Sequence, residues 1–509
     1  MLRRPLLAAL AAVPFAARAP MARETDRVLQ IVAPWDIGTL EPSRAGYVFT
    51  RMGVTETLVA ADPDGRLVPG LAARWSAAAD GLSWRLALRP AVFHDGTVLS
   101  PDIAAAALRR ARALPGPFGK TPVTAIEPDG DGVLIRLSAP FAALPAFLAH
   151  FGTQLLAPAS FDAAGAVRRV IGTGPYRVSG IGLPLRIDVE RFDGWTGGPQ
   201  PAIARASYLS VPRAEARALM AESGQADLAF TLDPPSLARL RGNSRVSVRV
   251  VPIPRMELLK LNAGSPVFVD GRVRRAVSLA IDRAGIARAI LGNPGAAATQ
   301  LFPPTLGDWH QPGLSPLRHD PAEGRRLLDE AGWRPGPDGF RSRDGVPFAA
   351  RLRTYADRPE LPVVAAALQD QLRGIGLRVD VAVVNSSEIP AGHADGTLGM
   401  ALMARNFALV PDPFGTLVDD YGPKGGDWGA MGWSDEGLNT ALAALQRGAG
   451  DEGEQQRSRA AIAGAIHAGL PVIPVAWYDH SAVISRRLDN VVIDPFELSY
   501  NLAGMRWAG

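Results

Sequence analysis

The chain has 509 residues, enough for two to four domains at roughly 150 residues each, and is 47% hydrophobic and 20% charged, which excludes a disordered chain. It contains no cysteine, which excludes disulfide scaffolds, thiolate metal sites, iron–sulfur clusters and cysteine nucleophiles. Its net charge of +4 hints at an acidic partner such as nucleic acid.

The first residues change that reading. Residues 1–19 (MLRRPLLAALAAVPFAARA) have a charged start, a short apolar run and an Ala17-Arg18-Ala19 end, the pattern of a cleaved export signal. The apolar run is too short for a bilayer and contains Pro14, so no membrane anchor is expected. Arg3-Arg4 is compatible with a Sec or a twin-arginine signal. The segment carries Arg3, Arg4 and Arg18 and no acid, so the remaining chain is near +1 and the nucleic-acid hint largely disappears. The absence of cysteine also excludes a lipid-anchored exported form.

Beyond the signal, residues 28–32 read as a buried strand leading into Trp35-Asp36-Ile37-Gly38-Thr39-Leu40. Residues 83–89 alternate as a half-buried strand. Ser100-Pro101 starts a helix, with Ser as N-cap and Pro at N1, running to Ala113. Residues 133–137 read as a strand and 141–151 as a short apolar helix. After the Gly/Pro-rich crossing at 171–177 come strands at 185–189, 206–211 and 226–230, with a helix over 213–223. Helical spacing begins again at Asp270, and Asp320-Pro321 caps a helix that stops at Gly332. Helix 361–374 precedes strand 377–384, and strand 398–404 follows. The chain closes with helix 458–468, strand 472–477 and a segment at 481–485. Strands alternating with helices predict an α/β architecture.

Catalytic patterns are missing. No Ser stands three residues before Lys120, Lys260 or Lys424, and Gly119-Lys120-Thr121 lacks the first glycine of a phosphate loop. Gly172-Thr173-Gly174 and Gly432-Trp433-Ser434 likewise fail as dinucleotide and nucleophile-elbow motifs. No two of the seven histidines lie at the i, i+4 spacing of a helical zinc site. No catalytic residue, metal site or cofactor is expected, and an exported peptide hydrolase is the disfavoured alternative.

A series of segments resembles the peptide/nickel class of periplasmic solute-binding proteins of ABC transporters, extracellular solute-binding family 5. They are residues 67–75 (LVPGLAARW), 80–89 (DGLSWRLALR), Phe93-His94-Asp95-Gly96, Ser100-Pro101-Asp102, 171–176 (IGTGPY), 276–283 (AVSLAIDR) and 320–333. Trp35 to Leu40, with Asp494-Pro495-Phe496-Glu497, is most similar to the nickel-binding members. The resemblance implies a two-lobed, periplasmic-binding-protein-like α/β fold with a small inserted third domain. The implied division is a signal peptide at 1–19, lobe I from 20–58, 172–258 and 482–509, an inserted domain II at 59–171, and lobe III at 259–481. It further implies a monomeric periplasmic protein that closes on a small molecule or short peptide and delivers it to ABC permease subunits. A sensor serving a membrane receptor is the alternative.

The family's binding residues transfer poorly. Its dipeptide binders place an Asp where this chain has Leu409, and residues 414–437 hold no histidine for a nickel chelate. The ligand-facing arginine of the nickel-binding members falls near Phe151 or Gln154. The expected ligand-binding residues are therefore Trp35, Tyr47, Phe118, Arg405, Asn406, Phe407 and Trp428, with Trp428 and Trp433 on a Gly-rich loop that could close over the cleft. Strand alternation puts Arg405 and Phe407 on one side and Asn406 on the other, and Arg405 equally fits an ion pair with Asp412. Core packing is the favoured role for Trp75, Trp84, Trp195 and Trp333.

Overall fold

The computed structural model describes residues 27–509 apart from Asp357, Leu409 and Ala449. The export-signal segment and Leu409 thus lie outside the described residues.

One ten-stranded sheet runs through the molecule. Its strands in chain order are β1 (Val28–Ala33), β2 (Tyr176–Gly182), β3 (Arg186–Arg191), β4 (Arg205–Ser210), β5 (Leu228–Phe230), β6 (Val246–Leu261), β7 (Ala349–Thr354), β8 (Arg378–Val383), β9 (Met400–Asn406) and β10 (Val472–Ser485). Their spatial order is β8-β7-β9-β6-β10-β5-β1-β4-β3-β2. In the near half, β1 is parallel to β4 and β5; in the far half, β7 is parallel to β8 and β9. The long strands β6 and β10 pair antiparallel and join the halves, from Val246 opposite Ser485 to Lys260 opposite Val472. Their register breaks between Pro252 and Met256, where the chain passes from one half to the other. Pro252 and Pro254 are tolerated there because β9 pairs with β6 only from Arg255 onward, and the bond just beyond it, Phe407 N to Pro254 O at 2.9 Å, uses a carbonyl and needs no proline N–H.

A separate four-stranded antiparallel sheet is built from Ala72–Ala77, Ser83–Leu88, Gly132–Leu137 and Val123–Asp129. The helix Pro101–Ala113 packs on it, and its Ser100 N-cap accepts from Ile103 N at 3.3 Å, as the sequence predicts. This unit touches the far half of the molecule directly. Lys120 Nζ lies 2.6 Å from Asp419, Ala142 N donates to Gln446 O at 3.1 Å, and Phe141 packs 6.2 Å from Phe414.

Several expectations are corrected. The segments 472–477 and 481–485 form one strand, because Asp479, His480 and Ser481 stay paired across β6 and make no turn. The expected helix over 141–151 shrinks to Leu144–Phe147 and a 3-10 turn at Phe151–Thr153, with the His150 ring accepting from Gly152 N. The helix expected at 458–468 runs from Glu452 to Gly469. Its first turns are polar and fixed by an Asp451/Glu454 capping box, which apolar periodicity does not register. Strand 398–404 slides to Met400–Asn406, which places Arg405 and Asn406 inside it.

Candidate functional site

The carboxyl ends of the parallel strands face one another across the β6/β10 crossing. β1 ends into Trp35 and Asp36 and β5 into Leu232 and Pro234, while β7 ends into residues 355–360. In open α/β sheets this is where ligands bind. An open crevice of about 580 Å³ has Gly65 and Phe496 on one side and Leu306, Trp309 and Pro411 on the other.

The near wall is aromatic. Trp35 lies nearly parallel to His480 with centroids 6.4 Å apart, and the Arg51 guanidinium stands 4.7 Å over the Trp35 ring. His480 stacks on Phe230 at 5.2 Å, and Phe230 on Tyr500 at 5.0 Å. Tyr208 Oη donates to Trp35 O at 2.6 Å and Tyr47 Oη to Asp36 O at 2.8 Å, so the Trp35 loop is fixed by its backbone.

Glu497 lies at the centre. The Asp494-Pro495-Phe496-Glu497 segment wraps around the Asp494 carboxylate, which accepts from Phe496 N at 2.8 Å, Leu498 N at 2.9 Å and Ser499 N at 3.0 Å. That turn holds Glu497 at φ +56°, uncommon for a residue with a side chain, and points its carboxylate inward. There it pairs with Arg255 on β6, while Arg51 Nε donates to Glu497 O at 2.6 Å. Arg51 and His480 both stand 3.9 Å from Glu497 Oε1. Burial works against the charge, but Arg255, His480, Arg51 and Arg358 together hold the carboxyl well below the usual carboxylate range. Burial lowers His480 to about 4, so at neutral pH its imidazole is uncharged.

Tyr478 continues the cluster, with its ring between Arg255 (5.2 Å) and Arg358 (5.1 Å) and its hydroxyl accepting from Arg358 at 3.1 Å. Next to it Glu257, on β6, is 1% exposed. Among the described residues its Oε2 has no hydrogen-bond partner, nor has Glu360 Oε1. Desolvation, with Glu360 nearby, pushes the Glu257 carboxyl well above its ordinary value.

The sequence-expected residues divide between cleft and core. Trp35 and Tyr47 lie on the near wall, half-buried. Phe407 is fully buried against Phe302 at 5.8 Å, and Phe118 is buried in the core of the inserted unit. Arg405 is held by Asp420, not Asp412, through two bonds of 2.6 and 2.9 Å. Asp420 is the partner because the helix Phe414–Tyr421 carries it back to the strand, while Asp412 accepts from Phe414 N at 2.7 Å. Asn406 Oδ1 accepts from Ala408 N at 2.8 Å. Trp428 is half-buried on its Gly-rich loop, which Lys260 anchors by donating to Gly426 O at 2.7 Å and Asp427 O at 2.9 Å. The third donor of Lys260 meets His393 Nδ1 at 2.7 Å.

Sequence reasoning missed Arg51, Arg255, Glu257, Arg358 and His480. A signal for two of them exists. Arg255, Glu257 and Lys260 interrupt the apolar run at 253–261 (IPRMELLKL), and charges on a fully buried strand require partners or a task. Among the described residues, no grouping of three His, Cys, Asp or Glu suits a metal ion, and no helix is long and apolar enough to cross a membrane.

Two sheet halves joined by a pair of crossing strands, with an aromatic and charged crevice between them, define a two-lobed solute-binding protein. The family model "Bacterial extracellular solute-binding proteins, family 5 Middle" matches residues 66–428, and the chain belongs to this family. It is similar to the nickel-binding periplasmic protein of Escherichia coli (strain K12), 25% identical over 514 residues covering 97% of this chain and 96% of that one. The glutathione-binding protein GsiB of Escherichia coli O1:K1 / APEC is 26% identical over 339 residues, 64% of this chain and 63% of GsiB. The crystal structure of NikA from Brucella suis in complex with Fe(III)-EDTA shares the fold, with a TM-score of 0.86 and 24% identity over 95% of this chain and 100% of that chain. The protein is thus the solute-binding component of an ABC importer.

Proposed function

We propose that the protein captures a small peptide, peptide-like compound or metal chelate in the crevice between the two sheet halves. It does so by lobe closure and without chemistry. The observation that carries this reading is the crossing itself: β6 and β10 connect the halves, and the ends of β1, β5 and β7 meet over an aromatic and ionic floor. The names of the relatives, nickel-binding and glutathione-binding, support a ligand of this size range. Trp35 and Tyr47 line the solute, with Arg405, Asn406, Phe407 and Phe118 supporting the walls and Trp428 on the anchored loop. Lobe I is formed by 20–58, 172–258 and 482–509, the inserted domain by 59–171 and lobe III by 259–481. The protein works as a free periplasmic monomer, exported by a Sec or twin-arginine signal at 1–19.

A thermal-shift screen against peptide, opine and nickel–chelate libraries tests the reading. A ligand present at 100 times its Kd adds about 2.7 kcal/mol of stability, so a binder is expected to shift the transition clearly. No shift with any class contradicts capture of such solutes. In the host, loss of uptake on deletion supports transport, whereas intact uptake with lost signalling contradicts it in favour of a sensor.

A further inference from the structure

One cavity is not accounted for by the aromatic wall or the Glu497 cluster. It lies between the helix Pro234–Leu240 of the near half and residues 291–296 of the far half, beside the crossing strands. Its volume is about 160 Å³. Ligand pockets for whole drug-sized molecules run to roughly 300–1,000 Å³, so this cavity takes a side-chain-sized group of a larger solute. Leu232, Leu237, Leu291, Trp477 and Tyr478 give it apolar and aromatic sides.

Glu257 and Glu360 also line it. Both present a buried carboxylate oxygen that no described residue satisfies. Leaving a buried acceptor unpaired costs about 1–3 kcal/mol, more when it is charged, so two such atoms on one cavity need explaining. Arg358 does not supply the partner. Its guanidinium lies on the Tyr478 ring and bonds the Tyr478 hydroxyl; it acts on both glutamates as a nearby charge and satisfies neither Glu257 Oε2 nor Glu360 Oε1 with a hydrogen bond. Arg255 pairs with Glu497 through Nη2; its Nη1 has no partner among the described residues, but Arg255 does not line the cavity. The other polar side chains at the cavity are Arg241, Asn293, Asp479 and Ser481; Asn293 donates to Asp479, and the Ser481 hydroxyl is bonded to the Leu232 backbone.

We propose that this cavity is a subsite for an organic cation, a guanidinium or alkylammonium group on an apolar stem, held between Glu257 and Glu360. The inference rests on the solute-capture reading and names a chemical feature of the solute. The apolar sides suit the stem, Trp477 gives the cavity an aromatic side, and the carboxylate oxygens accept the cation's N–H donors. An organic cation fits better than a metal ion, because only two carboxylates converge and the Asp479 carboxylate is already bonded to Asn293. The family's dipeptide binders meet an ammonium with an acid at the position occupied here by Leu409. Glu257 and Glu360 place the anionic charge elsewhere in the crevice.

The test uses a matched pair of probes, L-arginine and L-citrulline, which differ chiefly in the charge of the side-chain end. Titration calorimetry on the full-length processed protein is expected to show L-arginine binding at least about tenfold more tightly, the worth of one charge-assisted hydrogen bond. Binding is also expected to release a proton, seen by repeating the titration in buffers of different ionisation heat. Glu257 is the group that gives it up, being faced by Glu360, Arg358, Tyr478, Asp479 and Arg241 as well as Arg255 on its own strand. Glu257→Gln, alone and with Glu360→Gln, is expected to remove both the preference and the proton release. Glu360→Gln alone, on the cavity's solvent-nearer side, serves if the buried variant fails to fold. Equal binding of the two probes, or a preference unchanged in the variants, overturns the proposal. So does binding of neutral or anionic solutes alone, an outcome that leaves the capture reading standing. If no solute of any kind binds, the capture reading falls with it.

Discussion

Two stretches of the same crossing strands treat buried charge in opposite ways. At Arg255 the guanidinium meets Glu497, with Arg51 and His480 close by, and the cluster is sealed beneath Trp35 and Tyr500. That cluster also leaves Glu497 Oε1, Arg255 Nη1 and His480 Nδ1 without hydrogen bonds, but Glu497 has an ionic partner. Two residues further along β6 the equally buried Glu257 has none among the described residues and lines a cavity. Lys260, three residues on, returns to the first pattern with all three donors used. The difference within one strand separates charges that have an ionic partner in the fold from one that has none. A paired buried charge costs its desolvation and recovers it in place, whereas an unpaired one recovers it only when a partner arrives.

The largest expected effect breaks the sealed end. Glu497→Gln leaves Arg255 and Arg51 without their counter-ion, and removing one partner of a buried pair costs about 3–5 kcal/mol. Chemical denaturation at neutral pH checks it, and a loss under about 1 kcal/mol would mean that the arginines find other partners.

Acid is expected to act on the same end. His480 is lowered to about 4 from 6.5, so its contribution is complete above pH 6.5 and is lost as the pH falls toward 4. A shift of that size corresponds to about 3 kcal/mol. His480→Phe, which keeps a ring against Phe230, is expected to flatten the stability profile between pH 6.5 and 4.5. Glu497, whose carboxyl is depressed, begins to lose its contribution only below about pH 4.3, so the two groups separate on the pH axis.

Lys260→Met tests the other paired charge. It strands the Gly426 and Asp427 carbonyls and is expected to cost about 1–3 kcal/mol, with faster amide exchange confined to the loop that carries Trp428. The smallest effect has the opposite sign. Glu257 carries a raised carboxyl, so its contribution is present below about pH 4.3 and lost as the pH rises through its folded value. Glu257→Gln is therefore expected to be neutral near pH 4 and to stabilise the ligand-free protein by about 1 kcal/mol at pH 8. Destabilisation at pH 8 would show that the carboxylate is already paired.

The elements with local signals were legible in the sequence. Ser100-Pro101 and Asp320-Pro321 start helices where expected, because an N-cap side chain and a proline act within one turn. The motif segments led to the family, and Trp35 stands beside Arg51 and His480. What was not legible depends on partners far apart in the chain. Arg51, Arg255, Arg358, His480 and Glu497 come from five separate segments, and only β6 and β10 bring them together. The Arg405 partner was misassigned for the same reason: Asp412 is nearer in sequence, but the helix Phe414–Tyr421 delivers Asp420. Strand β6 itself was obscured by Pro252 and Pro254, which sit where it has no β9 neighbour.

The central claim is that the crevice between the sheet halves holds one small solute. Native mass spectrometry of the protein purified from its own host tests it most directly, before and after unfolding and refolding in solute-free buffer. The account predicts one additional small molecule per chain, lost on refolding together with part of the thermal stability and restored when the released molecule is added back. Equal mass and equal stability in the two preparations, with no shift from any peptide, opine or chelate added to the refolded protein, would contradict it.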